Sequence, residues 1–416
     1  MNIAYYSHYF VPEIGAPSAR IHDLSREWLR AGDAVQVVTC FPNHPTGTLY
    51  PGYRKRSYQH EVIDGIDVHR VWSYITPNKG FVKKTIGHVS FHPSAIVASR
   101  LKMKTTPDVF IGTSPTFFAA IAADHVARAR KRPFVMEVRD LWPALFVELG
   151  ILKNKYAIAA LEKLELSLYR KATRVVAVTE AFRQNLIERG VPDWKVRTIP
   201  NGADVDFWTE RGEGRALRRR LGFDGEFVAL YIGAHGISQG LTSVIDAATR
   251  LRDRRDIRFV FVGEGADKEK LVAHVARENL TNVSFFEPVG KEEVRAFYSM
   301  SDACLVPLRD IPLFETFIPS KMFEILSMER PIVGAVKGEA ARILEDSGGA
   351  IVVAPENAET LANGIERLAS LSAEERASMG ARGRQFVIDR FSRRALATTY
   401  REVMNDAIAD YKKGRR

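Results

Sequence analysis

Ser320, Lys321 and Glu324 close the run Phe314-Glu315-Thr316-Phe317-Ile318-Pro319-Ser320-Lys321-Met322-Phe323-Glu324, which follows an apolar strand-like stretch and opens a helix. A helix start leaves backbone N–H groups without intrahelical partners, and those amides favour an anion. Lys321 adds a full positive charge at the same place. Glu324 stands one turn further on, an awkward neighbour for an anion unless it accepts hydrogen bonds from a ribose. Amides, a cation and a carboxylate on one helix start describe a nucleotide-diphosphate site.

Two glycine-bearing loops follow strand-like runs. One contains Gly15, within Tyr9–Ser18, and the other is Gly233-Ala234-His235-Gly236-Ile237-Ser238-Gln239-Gly240. Glycines let the backbone approach a phosphate closely, and the next helix points its amides at it. Neither loop matches G-x-G-x-x-G or G-x-x-x-x-G-K-[ST], which argues against dinucleotide and ATP binding. Either loop alone is compatible with a tight turn. Together with the Ser320-Lys321 helix start, the second becomes a diphosphate loop, with Gly233, His235, Gly236 and Gln239 as candidates. Gly263-Glu264-Gly265 either edges the same pocket or makes a plain turn.

Arg139 and Asp140 end an apolar strand, where open α/β sheets place their ligands. They read as a cation for the diphosphate and a carboxylate for a sugar hydroxyl, or as an ion pair ordering a loop. Asn43 and His44 lie on a loop after the second strand and either bind an acceptor or shape that loop. Asp204-Val205-Asp206 has the D-x-D spacing of a metal site, but no third ligand accompanies it and no metal is expected.

These residues need a scaffold, and the alternation of strands and helices supplies one. Strands are expected at 2–6, 34–40, 66–71, 109–112, 134–138, 174–178 and 196–199. The scheme then repeats at 227–232, 258–262, 283–286, 303–306, 331–334 and 350–353. Strand–helix alternation implies parallel sheets covered by helices on both faces, and its repetition implies two doubly wound α/β domains. At 416 residues the chain suits two cores. Turn formers at Ile199-Pro200-Asn201-Gly202 mark the boundary, giving domains 1–200 and 201–390 and a final helix with a basic tail over 391–416.

The charge is uneven. Residues 1–200 carry 28 Lys and Arg against 17 Asp and Glu, a net of +11, while the remainder is close to neutral at −1. Such a surface suits nucleic acid, anionic lipid or a polyanionic substrate. Lys79–Lys104 mixes Phe81, Val82, Ile86, Val89, Phe91, Ile96 and Val97 with Lys79, Lys83, Lys84, Lys102 and Lys104, and Pro93 is expected to break it into two helices. A basic amphipathic pair of this kind can lie in an anionic membrane interface. Cys40 and Cys304, both inside apolar runs, read as core residues in a reducing compartment. The chain begins directly as a strand, so no signal peptide is expected, and no apolar run is long enough to span a bilayer.

Over essentially its whole length the sequence resembles glycosyltransferase family 4, the retaining GT-B enzymes. The resemblance rests on Ile199-Pro200-Asn201-Gly202 with Asp204, on the helix-opening run ending at Glu324, and on the long C-terminal helical stretch. The runs YFVPE, FPNHPTG, EVRDLWP and PSKMFE are most similar to a branch that includes bacterial N-acetylfucosamine transferases of O-antigen and capsule assembly. The resemblance implies two Rossmann-like domains facing a central cleft, with the C-terminal helix crossing back to the first. It implies a metal-independent transfer of a sugar from a UDP-sugar, without other cofactors, to a polyprenyl-diphosphate-linked saccharide. The enzyme would work in the bacterial cytoplasm, peripheral on the inner face of the membrane, with no nucleic acid partner.

Glu324 takes the ribose role of the second Glu in the family's E-x7-E signature, but the first Glu is replaced by Thr316, with Glu315 one residue out of register. The sugar end is therefore assigned to Thr316, Phe317, Ile318 and Pro319, and the base to the backbone of Val289. Lys321 and Arg139 are expected to supply charge that relatives place around the second-domain glycine loop, where this chain has His235 and Gln239. Arg139, Asp140 and Lys321 form the candidate catalytic set. A UDP-sugar 2-epimerase and a non-catalytic nucleotide-sugar-binding subunit would use the same architecture.

Overall fold

The computed structural model describes every residue except 14, 45, 77–80, 115, 142, 144–146, 148–151 and 415–416, together with all side chains of the described helices but those of residues 16, 81, 82 and 84. The chain divides into two compact units, Met1–Pro200 with Arg393–Arg416, and Asn201–Ser392. In the first unit the described strands are β1 (Asn2–Tyr6), β2 (Ala34–Cys40), β3 (Tyr58–Ile63), β4 (Ile66–Val71), β5 (Val109–Thr113), β6 (Phe134–Val138), β7 (Arg174–Ala177) and β8 (Val196–Thr198). They form one sheet in the order β3-β4-β2-β1-β5-β6-β7-β8. All its pairings are parallel except β3 with β4. The central strands are buried on both faces, which is why they read as continuous apolar runs.

β3 departs from the expected all-parallel sheet. Its residues are half exposed, so no apolar run announces it. The local signal was the turn: Asp64 and Gly65 both have positive φ, 50° and 82°, as a tight hairpin connection requires. The helix Phe81–Leu101 is a second departure, since it runs unbroken through Pro93. Pro93 removes one amide from the ladder, but Phe91, Ala95 and Ala98 on the same helix are buried and the packing holds it together. The side chain of Ser94 also donates to the Ser90 carbonyl at 3.2 Å within this turn. Lys79 and the side chain of Lys84 lie outside the described residues.

The helix Arg393–Lys412 completes the core of the first unit. Leu396, Tyr400, Val403, Met404 and Ala407 recur at helical spacing and join Ile3, Tyr5, Trp28 and Val37 in one cluster. Trp28 donates its indole N–H to the Ala397 carbonyl at 3.1 Å, and Arg401 pairs with Asp33 at 2.7 Å.

At the centre of this sheet, Glu137 on β6 is wholly buried. Its carboxylate accepts from Arg20 Nε at 2.9 Å, from Thr113 Oγ1 at 2.9 Å, and from the Tyr5 hydroxyl. Arg20 also donates to the carbonyls of Ile199, at 2.9 Å, and Pro200, at 2.7 Å. Burial alone would raise the Glu137 carboxyl, but Arg20 and Arg139 outweigh it and hold the group below the ordinary carboxylate range.

The second unit's described strands are β9 (Phe227–Ile232), β10 (Ile257–Val262), β11 (Val283–Phe286), β12 (Ala303–Pro307), β13 (Ile332–Ala335) and β14 (Ala350–Val353). They make a wholly parallel sheet in the order β11-β10-β9-β12-β13-β14. In both sheets the strand order reverses beside the first strand of the unit, between β1 and β5 and between β9 and β12. Ligand crevices of open α/β sheets lie at such reversals.

Removing one member of a buried ion pair strands the other charge, which costs about 3–5 kcal/mol. Glu137→Gln is expected to lose stability on that scale in urea unfolding. The double variant Arg20→Met/Glu137→Met, which leaves only Arg139 without its counter-charge instead of both arginines, is expected to lose less than Glu137→Gln alone.

Candidate functional site

In the second unit the reversal between β9 and β12 brings the glycine loop and the Ser320-Lys321 helix start together. Lys321 begins the short helix Lys321–Ser327, and its ammonium donates to the carbonyl of Ile232, the last residue of β9, at 2.8 Å. It also lies over the Tyr231 ring, 4.2 Å from the centroid. Gly233 follows with φ 139°, and a Cβ there would stand 2.6 Å from Lys321 Nζ. A side chain there would push the ammonium aside, and the φ itself favours glycine. Burial pushes the Lys321 pKa down to about 8, with Glu324 acting in the opposite direction. The ammonium is therefore a poorly solvated cation that an arriving anion would stabilise.

Glu324 is half-buried on the same helix, and its carboxylate accepts from the buried Tyr298 hydroxyl. That hydrogen bond fixes one end of the carboxylate. A carboxylate accepts several hydrogen bonds, as a diol requires.

Gly263-Glu264-Gly265 does more than turn the chain. A Cβ on Gly263 would fall 2.0 Å from the Gly233 carbonyl oxygen, and one on Gly265 would fall 2.4 Å from that of His235. The His235 amide donates to the Glu264 carbonyl at 2.9 Å, and the Asp267 amide donates to the His235 carbonyl at 2.9 Å. The loops after β9 and β10 are laced together, and neither glycine can be replaced without moving the other loop. Sequence reasoning left this loop between two readings because the signal lies in a contact between segments.

His235 is placed differently from a solvent-facing ligand. Its ring is fully buried among Tyr231, Phe261 and Phe285, with centroids 5.7 to 6.2 Å away. Burial lowers its pKa to about 4, so it is neutral at physiological pH and supplies no charge to a diphosphate. Gly236 and Gln239 shape the loop: the Gln239 amide donates to the Gly236 carbonyl at 3.3 Å. The Arg309 amide donates to Ser238 O at 3.0 Å and ties this loop to the segment after β12.

Thr316 ends a 3-10 turn, Pro312–Thr316, and donates its hydroxyl proton to the Leu313 carbonyl at 2.6 Å. Phe317 packs edge-on against Phe314 with centroids 5.5 Å apart, and Ile318 is buried. Glu315 is exposed, and its carbonyl sits where a Cβ on Gly338 would come within 2.1 Å. Val289 is half-buried in the loop after β11. The Asp204 carboxylate accepts from the amides of Asp206, at 3.2 Å, and Phe207, at 3.1 Å, which makes it a turn former.

In the first unit Ser114, at the end of β5, accepts the amides of Arg139 at 2.8 Å and Asp140 at 3.3 Å. The Arg139 guanidinium is buried, and Nε and Nη1 have no hydrogen-bond partner among the described residues. Burial lowers its pKa, with Glu137 opposing. A buried cation with idle donors is a place for an oxyanion. Burial raises the Asp140 carboxyl to about 6, with Arg139 pulling it back. Asn43 and His44 sit on the loop after β2, and the ring of His44 lies 5.0 Å from that of Tyr9. Gly15 precedes the helix Ala16–Arg30 of the first unit and is exposed.

Comparison with known proteins gives this geometry a context. Residues 15–202 match the glycosyl transferase 4-like domain, and residues 215–386 match glycosyl transferases group 1. Over 351 residues the sequence is 28% identical to the putative colanic acid biosynthesis glycosyl transferase WcaI of Escherichia coli strain K12, spanning 82% of this chain and 86% of that protein. It is 23% identical over 242 residues to a lipopolysaccharide 1,2-N-acetylglucosaminetransferase of Salmonella typhimurium, spanning 56% and 62%. Sucrose-phosphate synthase from Thermosynechococcus elongatus superposes with a TM-score of 0.78 at 17% identity, covering 98% of this chain and 99% of that one. HepE from Anabaena, in complex with UDP-glucose, gives 0.73 at 16% identity, covering 97% and 99%.

Three outcomes follow from the Lys321 environment. Below its pKa of about 8 the unliganded ammonium is charged, and above it the charge is lost. UDP affinity measured by calorimetry is expected to fall as pH rises through that value, and Lys321→Met is expected to flatten the profile and weaken binding by about ten-fold or more. Gly233→Ala is expected to weaken UDP binding as well, because the methyl group displaces the ammonium.

Proposed function

The chain belongs to glycosyltransferase family 4, and we propose that it transfers a sugar from a UDP-sugar, with retention, to a lipid-linked saccharide in bacterial surface polysaccharide synthesis. The observation that carries the proposal is the poorly solvated Lys321 ammonium beside Gly233, at the strand-order reversal of the second unit. It is suited to the negative charge that grows on a departing nucleoside diphosphate. UDP as carrier draws support from the fold shared with a protein crystallised with UDP-glucose. The setting in surface polysaccharide synthesis draws on relatives named for colanic acid and lipopolysaccharide. We take the sugar to be an N-acetylated amino or deoxy sugar, on the resemblance of the quoted runs alone.

In this reading the leaving phosphate accepts the proton of the attacking hydroxyl on the same face as it departs. The protein contributes positioning and electrostatic stabilisation rather than a nucleophile. Lys321 and the loop amides serve the diphosphate, and Glu324 the ribose. Arg139 and Asp140 are the cation and carboxylate of the first unit, and the assignment calls on no metal.

The acceptor's lipid suggests where the protein meets the membrane. No described helix is long and apolar enough to cross one. On the helix Phe81–Leu101, however, Ile86, Val89, Val97 and Leu101 are exposed along one face while Phe91, Ala95 and Ala98 are buried on the other. Lys83 and Arg100 flank the exposed face, and Lys102 and Lys104 follow it. An apolar stripe edged by cations fits an anionic lipid interface.

Incubation with UDP-sugars and a polyprenyl-diphosphate-linked saccharide is expected to give a glycosylated lipid with the donor's anomeric configuration. Isomerised donor in the absence of acceptor would instead support an epimerase, and binding without turnover a non-catalytic subunit. Each basic residue near an anionic surface contributes about 1 kcal/mol. Lys83→Glu/Arg100→Glu is therefore expected to weaken co-sedimentation with anionic vesicles by more than about ten-fold, leaving UDP affinity unchanged.

A further inference from the structure

The loops after β1 and β2 are held together by two buried charged side chains. Glu13 is 3% exposed, and its carboxylate accepts backbone amides from both loops: Phe10 at 3.2 Å, Asn43 at 2.8 Å and His44 at 2.9 Å. Arg70, fully buried on β4, donates to carbonyls of the same two segments, Val11 at 2.6 Å and Cys40 at 3.1 Å. One group collects N–H donors and the other collects C=O acceptors. Arg70 makes its own ion pair with Glu61.

A buried carboxylate is expensive unless hydrogen bonds compensate it. Apolar packing could close these loops without that cost, so the arrangement favours accurate placement over stability. Glu13 sets the position of the backbone on either side of a small cavity. Tyr9 and His44 form part of the wall, with His8 and with His88 from the helix Phe81–Leu101. The Tyr9 hydroxyl lies 3.5 Å from His88 Nε2. The cavity measures about 30 Å³, room for a hydroxyl-sized group. Imidazole nitrogens and a phenol can exchange hydrogen bonds with an alcohol.

We propose that Glu13 is a positioning residue for the acceptor, holding the Phe10, Asn43 and His44 amides so that Tyr9 and His44 engage a hydroxyl of the acceptor sugar. This rests on the transfer reading above. In Glu13→Gln the side-chain oxygen can still accept, but the amide NH2 faces a backbone N–H and cannot.

Steady-state kinetics of the full chain with UDP-sugar and a polyprenyl-diphosphate-linked saccharide test it, alongside UDP titration calorimetry. Glu13→Gln is expected to raise the acceptor KM about ten-fold or more, with the UDP dissociation constant within about two-fold of wild type. Glu13→Asp, which keeps the charge on a shorter arm, should recover part of the loss. An unchanged acceptor KM, or equal losses for acceptor and UDP, would overturn the proposal while leaving the transfer reading intact. If Glu13→Gln does not fold, His44→Ala carries the test: it should raise the acceptor KM by a similar factor without changing the melting temperature, and an unchanged KM would again overturn it. Absence of transfer by the wild-type protein to any lipid-linked saccharide would sink both readings.

Discussion

The buried pair of Glu137 and Arg20 is the constraint around which the first unit is arranged. It joins β6 to the helix Ala16–Arg30, takes in Tyr5 from β1 and Thr113 from β5, and reaches the carbonyls that end the unit at Ile199 and Pro200. A charge pair removed from water is useful only if every lone pair and proton finds a partner. That demand fixes where five segments meet. It also sets the electrostatic ground for Arg139, two residues beyond Glu137. The negative carboxylate beneath it makes a buried guanidinium with idle donors tolerable. The pair thus links packing at the sheet centre to a cation at the strand ends, where ligands bind.

The second unit solves a related problem with backbone instead of buried charge. Gly233, Gly263 and Gly265 stand where any Cβ would meet an ammonium or a carbonyl oxygen within about 2.0 to 2.6 Å. Their close approach lets two loops and a helix start converge on one Lys321 side chain. The cation is then kept near the strand ends by a single carbonyl and an aromatic face, which cost it solvation without neutralising it. An anion arriving beside such a group would restore stabilisation that it lost on folding. The His235 ring belongs to the buried aromatic cluster of Tyr231, Phe261 and Phe285.

Much of this was legible from local pattern. The runs 227–232 and 303–306 are continuous apolar stretches because they are covered on both faces, and the Ser320-Lys321 helix start follows from residue types alone. β3 was not legible as a strand, because a half-exposed edge strand has no apolar run, although Asp64-Gly65 carried the hairpin signal. Pro93 signals a helix break by propensity, but the burial of Phe91 and Ala95 in the folded unit overrides it.

What the sequence by itself determined is the chemistry on offer: which apolar strands exist, which loops carry glycines, that a Lys and a Glu share a helix start, and that an Arg-Asp pair follows a strand. Periodicity and turn chemistry are local, so one chain suffices to read them. What only the tertiary structure decided is which of those groups are solvated. Burial made His235 neutral, brought Lys321 down to about 8 and raised Asp140 to about 6. It also gave Glu13 three amides from two separate loops. Desolvation and long-range hydrogen bonding depend on segments far apart in the chain, and no spacing in the sequence encodes them.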